Sequence, residues 1–106
     1  MKQGKDSKAM ERLRTALTTG NMWLCVLSLC EQQKKIYAYG LREDIEKKWG
    51  WKPSMIMSYL VLYKIEKDGL IKSEFEERRK YYTITPRGKE ELKKAKGYLA
   101  SLSKGL

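Results

Sequence analysis

Hydrophobic positions in the first third of the chain recur at helical spacing. Three of them lie three and four residues apart: Met10, Leu13 and Leu17. This spacing predicts an amphipathic helix over 6–20, which Asp6 or Ser7 can cap. The segment 22–32 is apolar on almost every side, so we expect a central helix that is surrounded by its neighbours.

Two further helices are predicted, joined by a short turn. The first ends near Gly50, and its inward positions are four residues apart: Leu41, Ile45 and Trp49. The second spans 53–67, opens at Pro53 or Ser54, and closes at the Asp68-Gly69 pair. Two helices joined by a tight turn are the arrangement of a helix-turn-helix.

After Gly69 the pattern changes from helical to alternating. The segments 70–75 and 80–85 have the alternation and the β-branched and aromatic content of strands, and a charged connection links them. Thr85-Pro86 then opens a last helix in the favoured order of cap and proline. Its apolar positions are spaced three, four and three residues apart: Leu92, Ala95, Leu99 and Leu102.

This order predicts a mainly α fold with a small β-hairpin (α+β). We expect one winged helix-turn-helix domain over 1–106, with an N-terminal helix at 6–20, a core at 22–85 and a C-terminal helix at 86–103. The stripe on the last helix is the narrow seam expected where two helices pack together. We therefore expect a homodimer, with the stripe and the apolar side of the first helix at the interface.

Charge favours a polyanionic partner. The 106 residues contain 23 basic and 13 acidic side chains, a formal net charge of +10. On a small domain this excess points first to nucleic acid, and then to an anionic membrane surface. The longest apolar run, 22–30, is far too short to span a bilayer, and the N-terminus is polar. We expect a cytoplasmic protein that binds double-stranded DNA and no membrane.

Catalytic and metal chemistry are disfavoured. The chain has no histidine, so acid–base pairs built on histidine cannot form, and no glycine-rich phosphate loop is present. Its two cysteines, Cys25 and Cys30, are too few for a zinc site. Two interpretations of them stay open, small core residues and an intersubunit disulfide. We expect no enzyme activity, no cofactor and no bound metal.

The order of several short motifs resembles the PadR-like transcription regulators. These motifs are Gly69-Leu70-Ile71 after the fourth helix, the strand motif from Arg79 to Thr85, Gly88 beyond it, Tyr39-Gly40-Leu41, and the turn Trp51-Lys52-Pro53-Ser54, with Tyr59 at the position of the family's tyrosine. The resemblance covers about 22–102. It implies a dimeric winged-helix DNA binder, often a repressor, sometimes responsive to a small aromatic or cationic molecule.

Candidate DNA contacts follow from the geometry of a helix in the major groove and a basic wing beside it. We expect the helix 53–67 to read bases and the wing 76–80 to contact backbone or minor groove. The candidates at the helix are Lys52, Ser54, Met55, Ser58 and Tyr59, with Met55 placed to touch a thymine methyl. Those at the wing are Arg78, Arg79 and Lys80. Further backbone candidates are Lys34, Lys35 and Arg42.

Two alternative functions fit the same residues. The start of the fourth helix is more apolar than is usual in the family, which is compatible with an architectural, chromatin-like protein that reads few bases. A winged helix can also serve as a protein-interaction module, because a fold does not fix a function. The three tryptophans, Trp23, Trp49 and Trp51, are candidates either for the core or for an effector pocket at the interface.

Overall fold

The structure, a computed structural model, describes residues 5–106. Within this range it contains helices α1 (Lys8–Leu17), α2 (Met22–Gln33), α3 (Leu41–Trp49), α4 (Met55–Lys67) and α5 (Pro86–Gly105), and strands β1 (Ile36–Tyr37), β2 (Ile71–Glu76) and β3 (Arg79–Ile84). The mainly helical fold with a small β-sheet is confirmed. Residues 1–4, which belong to the predicted domain and to the polar N-terminus, lie outside the described residues.

The helix ends follow local chemistry. The side-chain oxygens of Ser7, Ser54 and Thr85 each accept a hydrogen bond from the backbone N–H three residues on, at 3.0, 3.1 and 3.0 Å. At the other end, α3 and α4 are followed by Gly50 and Gly69, with φ of 80° and 81°, a conformation that glycine adopts without steric cost. The predicted caps and glycine stops are therefore present, but α1 is shorter than the predicted helix over 6–20, and α5 extends two residues beyond the predicted 103.

The sheet has three antiparallel strands in the order β1-β3-β2. Glu76 pairs with Arg79, so the hairpin turns through 77–78 alone, and Glu77 has a φ of 61°. Strand β1 was not among the elements predicted from the sequence. Two residues cannot display a periodicity, and β1 exists because Ile36 and Tyr37 pair with β3.

Helix α2 lies at the centre of the core, as predicted. Its buried side chains pack with buried residues of every other element except α1: Ile36, Leu41, Ile45, Leu62, Ile65, Ile71, Tyr82 and Leu92. The expectation that Trp49 points inward is wrong, because its side chain is 38% exposed at the end of α3. None of the helices in the described range is long and apolar enough to cross a membrane.

Both cysteines belong to this core. Cys30 is 0% exposed, and burial raises the pKa of its thiol to about 12. Burial also raises the pKa of Cys25, an effect partly offset by the nearby indole N–H of Trp51, although that contact falls short of hydrogen-bond geometry. A sulfur enclosed by its own chain cannot reach a second chain, so the structure favours core residues over an intersubunit disulfide. Residues 5–106 form no cluster of three or more potential metal ligands.

Gly88 marks the point where α5 crosses closest to the end of α4. A Cβ atom at this position would lie 2.1 Å from the carbonyl oxygen of Leu70 and 2.8 Å from Cγ1 of Ile84. We expect Gly88→Ala to lower the free energy of unfolding by about 1–3 kcal/mol, because α5 must move away from the sheet.

Gly97, in the same helix, provides the control for this prediction. Nothing lies within 4 Å of a Cβ placed there, so Gly97→Ala should raise the free energy of unfolding by about 0.5–1 kcal/mol. Urea unfolding followed by circular dichroism measures both values. Equal midpoints for the two variants would contradict the close approach at Gly88.

Candidate nucleic-acid interface

The turn between α3 and α4 is held by side chains that the sequence analysis had assigned to DNA. Arg42 is half-buried, and its Nε donates a hydrogen bond to the carbonyl of Pro53 at 2.9 Å. Lys52 is exposed, but its Nζ lies 3.4 Å from Glu43 and 3.9 Å from Glu46. Arg42 thus links α3 to the turn through its Nε, and its contact with the DNA backbone stays a prediction. Lys52 is available to a phosphate only if it leaves its carboxylates.

Helix α4 presents one side to the core and the other to solvent. Its buried positions are Ser58, Leu62 and Ile65. Ser58 is 2% exposed, and its hydroxyl donates to the carbonyl of Ser54 at 2.8 Å. The expectation that Ser58 contacts DNA is therefore wrong. Ser54 is exposed, although its oxygen already caps the helix.

The solvent side of α4 is apolar and aromatic. Its exposed members are Met55, Ile56, Tyr59, Leu60 and Tyr63. The structure thus presents the predicted Met55 and Tyr59 and adds three residues that the sequence analysis missed. A signal for them existed, since 56, 60 and 63 follow a helical spacing of their own. Ile56 is the most exposed of the five, at 82%.

Lys80 lies close to the hairpin tip, on the face that holds Tyr82. Tyr82, two residues along β3, is buried, and the Nζ of Lys80 lies 5.5 Å from its ring. Burial raises the pKa of the Tyr82 phenol, Lys80 opposes that rise, and the nearby Glu66 and Tyr59 of α4 add to it. Ser73, which pairs with Tyr82 and shares its face of the hairpin, donates through its hydroxyl to Glu66 of α4 at 2.6 Å. Lys80 is two residues from Tyr82 and therefore lies on this same face, the one that packs against α4.

Arg79 lies on the other face of the hairpin, because successive side chains of a strand point to opposite sides. Its guanidinium stacks 4.0 Å from the ring centre of Tyr37 and donates to the hydroxyl of Tyr39 at 2.7 Å. Lys35 is on this face too, 3.2 Å from Glu76, and that hydrogen bond is the main cause of its raised pKa. The predicted basic residues of the wing are thus divided between two faces.

Two of the basic candidates, Arg78 and Lys34, take part in none of the ion pairs, hydrogen bonds and cation–π contacts described above. Arg78 occupies the two-residue turn at the hairpin tip and is exposed. Lys34 is exposed at the end of α2. Together with Lys80, Arg78 is the candidate best placed to reach a phosphate beside α4.

The predicted dimer surface is largely exposed. None of the residues of α1 is buried, and its apolar side is open: Met10, Leu13 and Leu17. On α5, Ala95 and Leu99 are half-buried and Leu102 is exposed. The expectation that Leu92 lies at the dimer interface is wrong, because at 3% exposure it belongs to the core of its own chain. Tyr98, which the sequence analysis missed, is exposed beside the stripe.

Two of the open surface grooves include residues of α1, and the three tryptophans are distributed between these two grooves. One, of about 390 Å³, lies between α1, α2 and α5 and includes Leu17, Trp23, Glu91 and Leu99. The other, of about 430 Å³, lies between α1 and the end of α3 and includes Trp49 and Trp51. Within one chain the tryptophans thus line two separate grooves, and an effector pocket at the interface stays a prediction.

Comparison with known proteins gives a consistent result. Residues 26–94 match the model of the transcriptional regulator PadR-like family. A transcriptional regulator from Clostridium thermocellum is 27% identical, with a TM-score of 0.75, over 83% of this chain and 91% of that chain. A PadR family transcription regulator from Clostridium difficile R20291 is 26% identical, with a TM-score of 0.73, over 79% and 92%.

A third structure agrees with these two. A PadR-like transcriptional regulator from Bacillus cereus strain ATCC 14579 is 26% identical, with a TM-score of 0.73, over 87% of this chain and 91% of that chain. No curated protein matches the chain significantly.

Proposed function

Since this chain belongs to the PadR-like family of transcriptional regulators, we propose that it represses transcription by binding duplex DNA as a homodimer. Each copy places α4 in the major groove, while the hairpin residues 76–80 rest on the backbone or the minor groove. Occupancy of a promoter by such a dimer would exclude the transcription machinery, which makes repression the simplest outcome. The family is one of regulators and not of enzymes.

The observation that carries this proposal is that Lys80 lies on the face of the hairpin that packs against α4. Ser73 on this face is bonded to Glu66 of α4 at 2.6 Å, and Arg78 lies at the hairpin tip. A major groove about 12 Å wide admits one helix, and a basic element beside that helix meets the phosphates that flank the groove. The net charge of +10 favours the same partner.

A second copy of the chain is the occupant that best fits the apolar sides of α1 and α5. Helix α1 buries none of its own side chains, although Met10, Leu13 and Leu17 lie on one side of it. Apolar area contributes about 25 cal/mol for each Å² removed from water, so a twofold contact that covers this surface is favourable. Two copies of α4 about 34 Å apart would then face successive major grooves of a pseudo-palindrome.

Selection of bound duplexes from a random pool tests the proposal. The selected duplex should bind at least about 10³-fold more tightly than random duplex in competition at physiological salt. Equal affinities that fall steeply with salt would indicate an architectural protein instead. No duplex binding even at low salt would indicate a protein-interaction module.

A small-molecule effector stays a prediction. The groove beside Trp23 has an aromatic wall and a carboxylate, Glu91, although Lys94 lies 3.4 Å from that carboxylate. This chemistry suits an aromatic cation. Titration with such compounds should quench the Trp23 fluorescence and change the affinity for DNA, and a flat titration would argue against an effector at this groove.

A further inference from the structure

The exposed side of α4 lacks the side chains that read bases by hydrogen bonds. Arginine and lysine recognise guanine, and asparagine and glutamine recognise adenine, each through two hydrogen bonds in the major groove. None of these four residue types occurs in the segment 54–63. The exposed side chains there are Ser54, whose oxygen caps the helix, and the large side chains Met55, Ile56, Tyr59, Leu60 and Tyr63. Hydrogen-bonded recognition of purines by this part of the helix is therefore excluded for the usual residue pairs.

This apolar side is continuous and runs along the helix. Ile56 and Leu60 are four residues apart, as are Tyr59 and Tyr63, so the two pairs form adjacent rows. The row of Ile56 and Leu60 lies on the side away from the buried positions, and the tyrosine row flanks it. Lys64 and Lys67 follow at the C-terminal end, and Lys80 lies on the face of the hairpin that packs against α4. An apolar surface bordered by cations matches a groove floor bordered by phosphates.

The only large apolar group that B-DNA presents in its major groove is the thymine 5-methyl. Resting on the proposed function, we infer that α4 reads thymine methyl groups, with Ile56 and Leu60 as the specificity-determining residues. The hydroxyls of Tyr59 and Tyr63 point outward from the same side and can donate to phosphate or to base edges. The duplexes that this protein selects are then rich in thymine at the centre of each half-site.

Deoxyuridine provides the test, because it keeps the hydrogen bonds of thymine and lacks only its methyl group. Single thymines of the selected duplex are replaced by deoxyuridine, and binding is measured by fluorescence anisotropy. We expect each replacement under α4 to weaken binding of the unmodified protein about fourfold, the effect of one buried methyl-sized group. Replacements in the flanking sequence should have no effect.

Ile56→Ala completes a double-mutant cycle. The side chain is 82% exposed, so the variant should fold normally, which circular dichroism verifies. It should bind the thymine duplex more weakly and lose the discrimination against deoxyuridine at one position of the half-site. The matched control is Leu106→Ala, which removes an exposed apolar side chain at the far end of α5 and should leave both affinities unchanged.

The outcomes separate this inference from the proposed function. Sequence-specific binding that is indifferent to every deoxyuridine, or a selected half-site without thymine, would overturn the reading of methyl groups and leave the regulator intact. If this side of α4 binds a protein partner instead, the DNA affinity would likewise be unaffected by every deoxyuridine replacement. Ile56→Ala would then bind DNA as tightly as the unmodified protein does. Absence of duplex binding would contradict both the reading of methyl groups and the proposed function.

Discussion

Replacing Arg78, Arg79 and Lys80 together with alanine is expected to weaken duplex binding on the order of 10²-fold or more near 0.1 M salt. Each phosphate contact releases counterions and adds about 0.9 to the slope of log affinity against log salt. Because Arg79 is held by Tyr37 and Tyr39 on the face away from α4, the dimer would lose about four such contacts, those of Arg78 and Lys80 in each copy, so the slope itself should become shallower by about 3.6. Anisotropy titrations across a salt series measure both quantities.

The control for this variant removes the same charge from another surface. Lys89, Lys93 and Lys104 are exposed on α5. Their replacement by alanine lowers the net charge equally, and it should change the affinity much less, because only long-range attraction is lost. Equal losses in the two variants would show that the total charge matters and the hairpin does not, which favours the architectural alternative.

The division of the hairpin makes single substitutions informative as well. Lys80 lies on the face of the hairpin that packs against α4, whereas Arg79 stacks on Tyr37 and donates to Tyr39 on the other face. Lys80→Ala should therefore account for more of the lost DNA affinity than Arg79→Ala does. A thermal melt separates the two roles, because removal of a cation–π contact affects the stability of the hairpin by about 0.5–1 kcal/mol.

The parts of the fold that depend on neighbouring residues could be predicted from the sequence. Ser7, Ser54 and Thr85 cap helices through bonds that span three residues, and Gly69 ends α4 with a positive φ. Such signals need no knowledge of the rest of the chain. The order of helices and hairpin, and with it the family resemblance, could therefore be obtained from the sequence.

The parts that depend on packing could not. Ser58 and Tyr59 are adjacent in sequence, and only the docking of α4 decides that the first is buried and the second exposed. Leu92 fits the spacing of the dimer stripe as well as Leu99 does, but the crossing of α5 over the core encloses it. A spacing shows which residues share a side of a helix, and it leaves open which neighbour that side meets.

The hairpin shows an intermediate case. The alternation of β3 separates Arg79 from Lys80, and this separation was already contained in the sequence. Which of the two faces α4 depends on the short strand β1, whose Tyr37 holds Arg79 on the opposite side. Because a two-residue strand gives no pattern, the assignment needed the tertiary structure.

A single lysine on α1 is expected to separate the two subunits. Leu13 is exposed on a helix that buries none of its side chains within the chain, so Leu13→Lys should leave the monomer folded. An ammonium enclosed by an apolar interface loses its hydration, which costs several times what the leucine contributed. Light scattering at micromolar concentration should change from twice 12.4 kDa for the unmodified protein to 12.4 kDa for the variant.

The loss of the dimer should also reduce DNA binding without any change in the DNA-facing surface. Two linked α4 helices bind two half-sites with an avidity about 10²–10⁴-fold above that of one, and Leu13→Lys removes this gain. The affinity of the Leu13→Lys variant for a single half-site should equal that of the unmodified protein. Thr15→Lys places the same charge on the other side of α1 and should stay dimeric. A mass of 12.4 kDa for the unmodified protein would contradict the dimer and with it the twofold geometry on which the spacing of the half-sites depends. An unchanged double mass for Leu13→Lys would show that the interface does not include this side of α1.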